Sequence, residues 1–136
     1  MADRPRLSLT QEGLAAAADL CHRPWRHAVR PLDPAQPCVD AEDSAAVVLD
    51  QPLRLEARDS EGVRHPDHDL ELEIYRSGDE INLMLSWVED EEAPILWHGS
   101  HPVWLESSDG RPADRPKGAQ ALESLCRRLR ALIAGD

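Results

Sequence analysis

An α+β fold, an antiparallel four- to five-stranded meander sheet flanked by an N-terminal and a C-terminal helix, is predicted by three features of this chain. Segments rich in Ala or Leu with helical spacing stand near both ends. Between them, His68 to Trp87 carries apolar residues at every second position in two runs separated by Ser77-Gly78. A shorter hairpin-like stretch follows at Ile95 to Leu105, with Gly99-Ser100 at its middle.

Ser8-Leu9-Thr10-Gln11 has the S-x-x-Q spacing of a capping box, and the Ala-rich segment after it favours helix. A first helix is therefore expected over 9–22, with Leu14, Ala17, Ala18 and Cys21 inward and Pro24 as its stop. Residues 23–43 carry Pro24, Pro31, Pro34 and Pro37 without sustained periodicity and read as a Pro-rich surface loop, anchored to the core by Trp25. Strand character resumes over 45–59: Val47-Val48-Leu49, a break at Asp50-Gln51-Pro52, then Leu53, Leu55 and Ala57 alternating with Arg54, Glu56 and Arg58. Paired antiparallel with 69–75, this strand sets Arg54 and Arg58 beside an acidic row, where opposite charges contribute about 0.2–1 kcal/mol each. Residues 60–67 form the connection.

With Ser77 and Gly78 as the two central turn residues, Arg76 faces Asp79, Ile74 faces Ile81, Leu72 faces Leu83 and Leu70 faces Leu85. Side chains alternate along a strand, so Asp69, Glu71, Glu73, Glu80, Asn82 and Ser86 fall on the opposite face, and a one-residue slip would bury four carboxylates. Glu89 to Glu92 is a run of four acids and reads as a solvated turn. Around Gly99-Ser100, His98 pairs with His101, Leu96 with Val103 and Ile95 with Trp104. That places Leu96, Val103 and Leu105 on one side, and Ile95, Trp97 and Trp104 on the other. Residues 107–116 are polar and turn-rich. The last helix, 118–134, has a stripe of Leu122, Leu125, Leu129, Leu132 and Ile133, with Arg127, Arg128 and Arg130 facing out.

At 136 residues the chain reads as a single α+β domain, 1–136, with 41% hydrophobic residues for a core. Fifteen basic against 26 acidic residues give a formal net charge of -11, which disfavours nucleic acid and anionic membrane as partners. Cys21, Cys38 and Cys126 are odd in number and lack a C-x-x-C pair, so reduced thiols and a cytoplasmic location are expected. No segment approaches the roughly 20 apolar residues of a membrane span, and the N-terminus has no apolar leader.

Chemistry is sparse. His98 and His101, paired across a tight turn, would offer two imidazoles to zinc, copper or nickel, with His65, Asp67 or His68 as a conceivable third ligand. Two ligands alone do not make a metal site, and surface or turn histidines are the plainer reading. Asp69, Glu71 and Glu73 lie on the acidic face with Arg neighbours and lack the contrast of environments that acid–base catalysis requires. Cys21 and His22 are helix neighbours that point about 100° apart, so they form no nucleophile–base pair and Cys21 belongs to the core. Cys126 likewise packs in the core. There is no glycine-rich phosphate loop.

Two helices can cover only one face of the sheet, so the second apolar face of the 95–105 hairpin calls for a partner protein, a second copy of the chain, or the 23–43 loop. The expected function is that of a small acidic protein-binding module (an adaptor, assembly chaperone or inhibitor), non-enzymatic and without cofactor. It would bind a protein partner or form a homodimer through Ile95, Trp97 and Trp104 with Glu71 and Glu73. The alternative is a small-molecule or metal-binding protein built on the His98-His101 hairpin and neighbouring Trp residues. In its small, acidic, helix–sheet–helix make-up the chain is loosely similar to secretion chaperones that bind unfolded effector segments and to immunity proteins that neutralise basic toxins. No residue role is taken from that similarity.

Overall fold

Thr10 caps the first helix: its backbone is extended and its hydroxyl accepts from the Gly13 N–H at 3.0 Å, satisfying a first-turn donor. The computed structural model describes residues 9–33, 35, 47, 49–77, 80–90, 92–99 and 101–134, so the capping role expected of Ser8 lies outside the described residues. Helix α1 spans Gln11–Cys21 and buries Leu14, Ala17 and Ala18 of its inner stripe. Six strands follow: β1 (Arg26–Pro31), β2 (Leu53–Arg58), β3 (Leu70–Ser77), β4 (Glu80–Trp87), β5 (Ile95–His98) and β6 (Pro102–Leu105). Helix α2, Ala119–Ala134, closes the chain. The strands form one antiparallel sheet in sequence order, β1 to β6. This is the expected α+β class and meander, with six strands where four to five were expected.

The additional strand is β1, inside the segment expected to be loop. Its inward residues His27 and Val29 are buried, its outward Arg26 and Arg30 exposed, and it pairs with β2 from Arg26↔Arg58 to Pro31↔Leu53. Pro31 hides the period-two signal but is tolerated because β1 is an edge strand.

The β3–β4 register differs from the expected one by two residues. Leu70 pairs with Trp87, Leu72 with Leu85, Ile74 with Leu83, and Ser77 with Glu80. The turn residues Gly78 and Asp79 lie outside the described residues. A slip of two preserves the faces, and Leu70, Leu72, Ile74, Leu83 and Leu85 are all buried. In the β5–β6 hairpin the slip is by one: Leu96 pairs with Trp104, Trp97 with Val103, and His98 with Pro102, leaving three residues in the loop. Trp104 thus joins Leu96 on the inner face, while Ile95, Trp97, Val103 and Leu105 share the outer face.

Both helices pack on the inner face. α1 lies against β1 and α2, and α2 reaches β4 and β5. Leu122, Leu125 and Leu129 of α2 are fully buried there, whereas Leu132 is exposed. Arg130, expected to face out, instead donates to the Ile81 carbonyl at 2.7 Å and ties the helix to β4. Trp104 stacks on Trp87 with ring centroids 6.1 Å apart and donates its indole N–H to Glu123 at 2.8 Å. Cys126 is buried in this core, its thiol pushed up to about 12 by burial. Cys38 lies outside the described residues.

Candidate functional site

The helices leave the outer face of the sheet uncovered among the described residues, and that face has two halves. Across β1, β2 and β3 it is charged: Arg26 and Arg30, then Arg54, Glu56 and Arg58, then Glu71 and Glu73. Across β4, β5 and β6 it has an apolar patch, because Met84, Trp97 and Val103 stand side by side in register, with Ile95 paired to Leu105 below them and the polar Asn82 and Ser86 flanking Met84 on β4. Each of the five apolar side chains is partly exposed. Trp97 donates its indole N–H to the Tyr75 hydroxyl, so its ring lies along the sheet. Gly99 permits this posture, since a Cβ there would come within 2.9 Å of both the Trp97 ring and Asn82 Oδ1.

Glu71 and Glu73 border the apolar patch, Glu73 directly opposite Met84. Burial, then the charge of Glu73, push the Glu71 carboxyl above its ordinary range. Arg54 faces Glu71 across β2 and β3 but is drawn elsewhere: its guanidinium donates to Asp69 at 2.6 Å and to Glu89 at 3.2 Å. The expected compensation of the acidic row by Arg54 therefore goes to Asp69, and Arg58 turns to Glu56 at 3.2 Å.

Asp69 is not part of the exposed acidic face. It is fully buried, accepting from the Ala57 N–H at 2.6 Å, from Arg54, and from Arg64 at 2.8 and 2.9 Å. Burial disfavours its charge, but Arg64, the Ala57 N–H and Arg54 together hold its carboxyl below the usual range. The period-two pattern could not show this, because Asp69 precedes the first paired residue of β3 and bends into the β2 edge.

Of the residues expected to bind a partner, Ile95, Trp97, Glu71 and Glu73 share the outer face. Trp104 does not: only 7% exposed, it is a core residue. The His98–His101 pair is also undone by the three-residue loop. His98 is buried on the inner face, its Nδ1 3.2 Å from the Gly99 carbonyl, and burial lowers its pKa. His65, Asp67 and His68 precede β3 at the opposite end of the strands. Among the described residues no group of three His, Cys, Asp or Glu is placed to hold a metal ion. Zinc at tens of micromolar is accordingly expected to leave the melting temperature unchanged; a rise that vanishes in His98→Ala would reinstate the pair as a site.

At that opposite end lies a cluster with little sequence signal. His22, just after α1, places Nδ1 2.9 Å from His27 Nε2, and His27 Nδ1 is 2.9 Å from Asp19 Oδ1. Trp25 is not anchored in the core as expected. Its ring stacks on His68 at 4.1 Å and tilts against His65 at 4.7 Å. Four of the six histidines thus meet in one place, although they lie up to 46 positions apart (22 to 68) and share no periodicity. The only hint in the sequence was His65-Pro66-Asp67-His68.

Among the described residues no helix is long and apolar enough to cross a membrane. No curated protein and no solved structure was found to match the chain. Residues 11–132, which include every helix and strand except the last two residues of α2, match a domain of unknown function, DUF8659, and the chain belongs to that family.

Proposed function

We propose that the protein is a non-enzymatic binding module that docks a basic protein segment on the outer face of its sheet, as an adaptor, assembly chaperone or inhibitor would. The observation that carries this reading is the uncovered row Glu73–Met84–Trp97–Val103, which joins a carboxylate to three apolar side chains across four strands. Apolar side chains in register on an exposed sheet face supply association energy, and a large aromatic at their centre commonly dominates it. Glu71 and Glu73 add a like-charge pair that Arg54 does not neutralise, and an incoming Lys or Arg would relieve it. A second copy of the chain would bring its own net charge of -11 to the contact, which favours a foreign, basic partner over a homodimer.

The test is affinity capture from the native host with three baits: the wild type, Trp97→Ala, and the double variant Glu71→Lys with Glu73→Lys. A basic protein retained by the wild type, released by moderate salt and lost by both variants is the expected result. Trp97→Ala should cost about 2 kcal/mol of binding, roughly 30-fold in Kd, with the fold intact by circular dichroism. Identical captures by all three baits would refute the reading. A dimer by light scattering that Trp97→Ala dissolves would replace the foreign partner with self-association.

A further inference from the structure

We propose that the His22–His27 pair is a proton-operated clasp, which holds the turn between α1 and β1 closed at neutral pH and opens it on acidification. The inference is independent of the docking face. It rests on a hydrogen-bond chain whose donors and acceptors can be assigned from one end. Asp19 accepts from the His27 backbone N–H at 2.7 Å and from His27 Nδ1 at 2.9 Å, and a carboxylate can only accept. The proton of a neutral His27 is therefore on Nδ1, its Nε2 is a bare acceptor, and His22 must donate from Nδ1. One added proton is tolerated: Nε2–H of a charged His27, held by Asp19, would donate to a His22 that has shifted its own proton to Nε2. A second proton is not, because both facing nitrogens would then be donors 2.9 Å apart on two cations.

The charged and titratable groups around the pair come from three places. Burial pushes the His27 pKa below its ordinary value, although Asp19 on α1 and Asp69 at the start of β3 favour its charge, and His68 from the short 3-10 turn disfavours a charge on His22. Among the described residues, His22 has no carboxylate within salt-bridge distance, unlike His27 with Asp19. Burial first, then His27 and His68, bring its pKa from 6.5 to about 4, so His22 is the site of the second proton. The sign follows from that difference. With a lower value in the closed form than in the open one, the clasp is at full strength above pH 6.5, weakens as pH falls, and has lost the whole contribution by about pH 4. Over that interval the opening constant rises tenfold per pH unit, about 300-fold in all.

What opens is local. The Trp25 N–H donates to the His22 carbonyl at 3.1 Å and the His27 N–H to Asp19, so these two amides report the turn, while the Trp25 ring leaves its stack on His68. NMR of the full chain between pH 7.5 and 4 tests the clasp. The expected results are a His22 imidazole that titrates near pH 4 and, below pH 6.5, a loss of exchange protection at the Trp25 and His27 amides while β3 and β4 stay protected. His22→Gln keeps an N–H donor toward His27 and takes up no proton, so it should flatten the pH dependence of those two amides. An imidazole titrating at its free value in the wild type would overturn the proposal whether or not the variant folds. So would loss of protection in the turn and in β3–β4 together, or an unchanged profile in His22→Gln.

Discussion

Leu72→Asp is expected to leave the chain unfolded at room temperature, whereas Glu73→Lys, one residue further along β3, should move the melting temperature by no more than a few degrees. Leu72 is fully buried, with the apolar Leu53 and Leu85 as its cross-strand neighbours. An unpartnered carboxylate there costs several kcal/mol even if it takes up a proton, comparable to the roughly 5–15 kcal/mol that holds an ordinary domain together. Glu73 points the other way, is partly exposed, and repels Glu71. A lysine at 73 replaces that repulsion with attraction. Circular dichroism melts of the two variants decide the matter, and equal tolerance of both would reverse the assignment of the two faces.

The second large effect is expected at Asp69. Asp69→Ala leaves the Ala57 N–H without its acceptor and takes from Arg54 and Arg64 the buried carboxylate they share, at a cost of about 3–5 kcal/mol. The acid side of the stability profile follows from the same group. Because its carboxyl is held below the ordinary 3.8, its contribution is complete above that pH and is lost as pH falls below it through the native value. Urea titrations at pH 7 and at pH 3 should therefore show a smaller difference between wild type and Asp69→Ala at pH 3. An equal difference at both would mean that the carboxylate's charge does not hold this corner. The window lies below that of the His22 clasp, so the two acid effects are separable.

Much of the sheet was legible because its signal is local. The alternation of Leu53, Leu55 and Ala57 with Arg54, Glu56 and Arg58, and that of Leu70, Leu72 and Ile74 with Glu71 and Glu73, assigns an inner and an outer face without knowledge of any neighbour. Strand β1 was not legible, since Pro24 and Pro31 bracket only one full alternation, His27 and Val29, and an edge strand takes half its definition from the strand beside it. The outer-face residues Glu71, Glu73, Ile95 and Trp97 were legible as a group. The histidine cluster was not, because α1, β1 and the 3-10 turn are brought together only when β1 pairs with β2.

By itself, the sequence determined the fold class, the two helices, and which side of β3 and β4 is core. Period two carries that last choice, and even a hairpin slipped by two residues keeps every side chain on its own face. Only the tertiary structure decided the fate of Trp104. Around residues 95–105 apolar side chains occupy both parities, so neither register is forbidden by burial, and one additional residue in the loop turns β6 over relative to β5. What settles the choice lies far away in the chain: the Trp87 ring on which Trp104 stacks and the Glu123 carboxylate that receives its N–H. The same holds for Asp69, whose charge is tolerable in the interior only because Arg54, Arg64 and the Ala57 N–H converge on it from 15, 5 and 12 residues away.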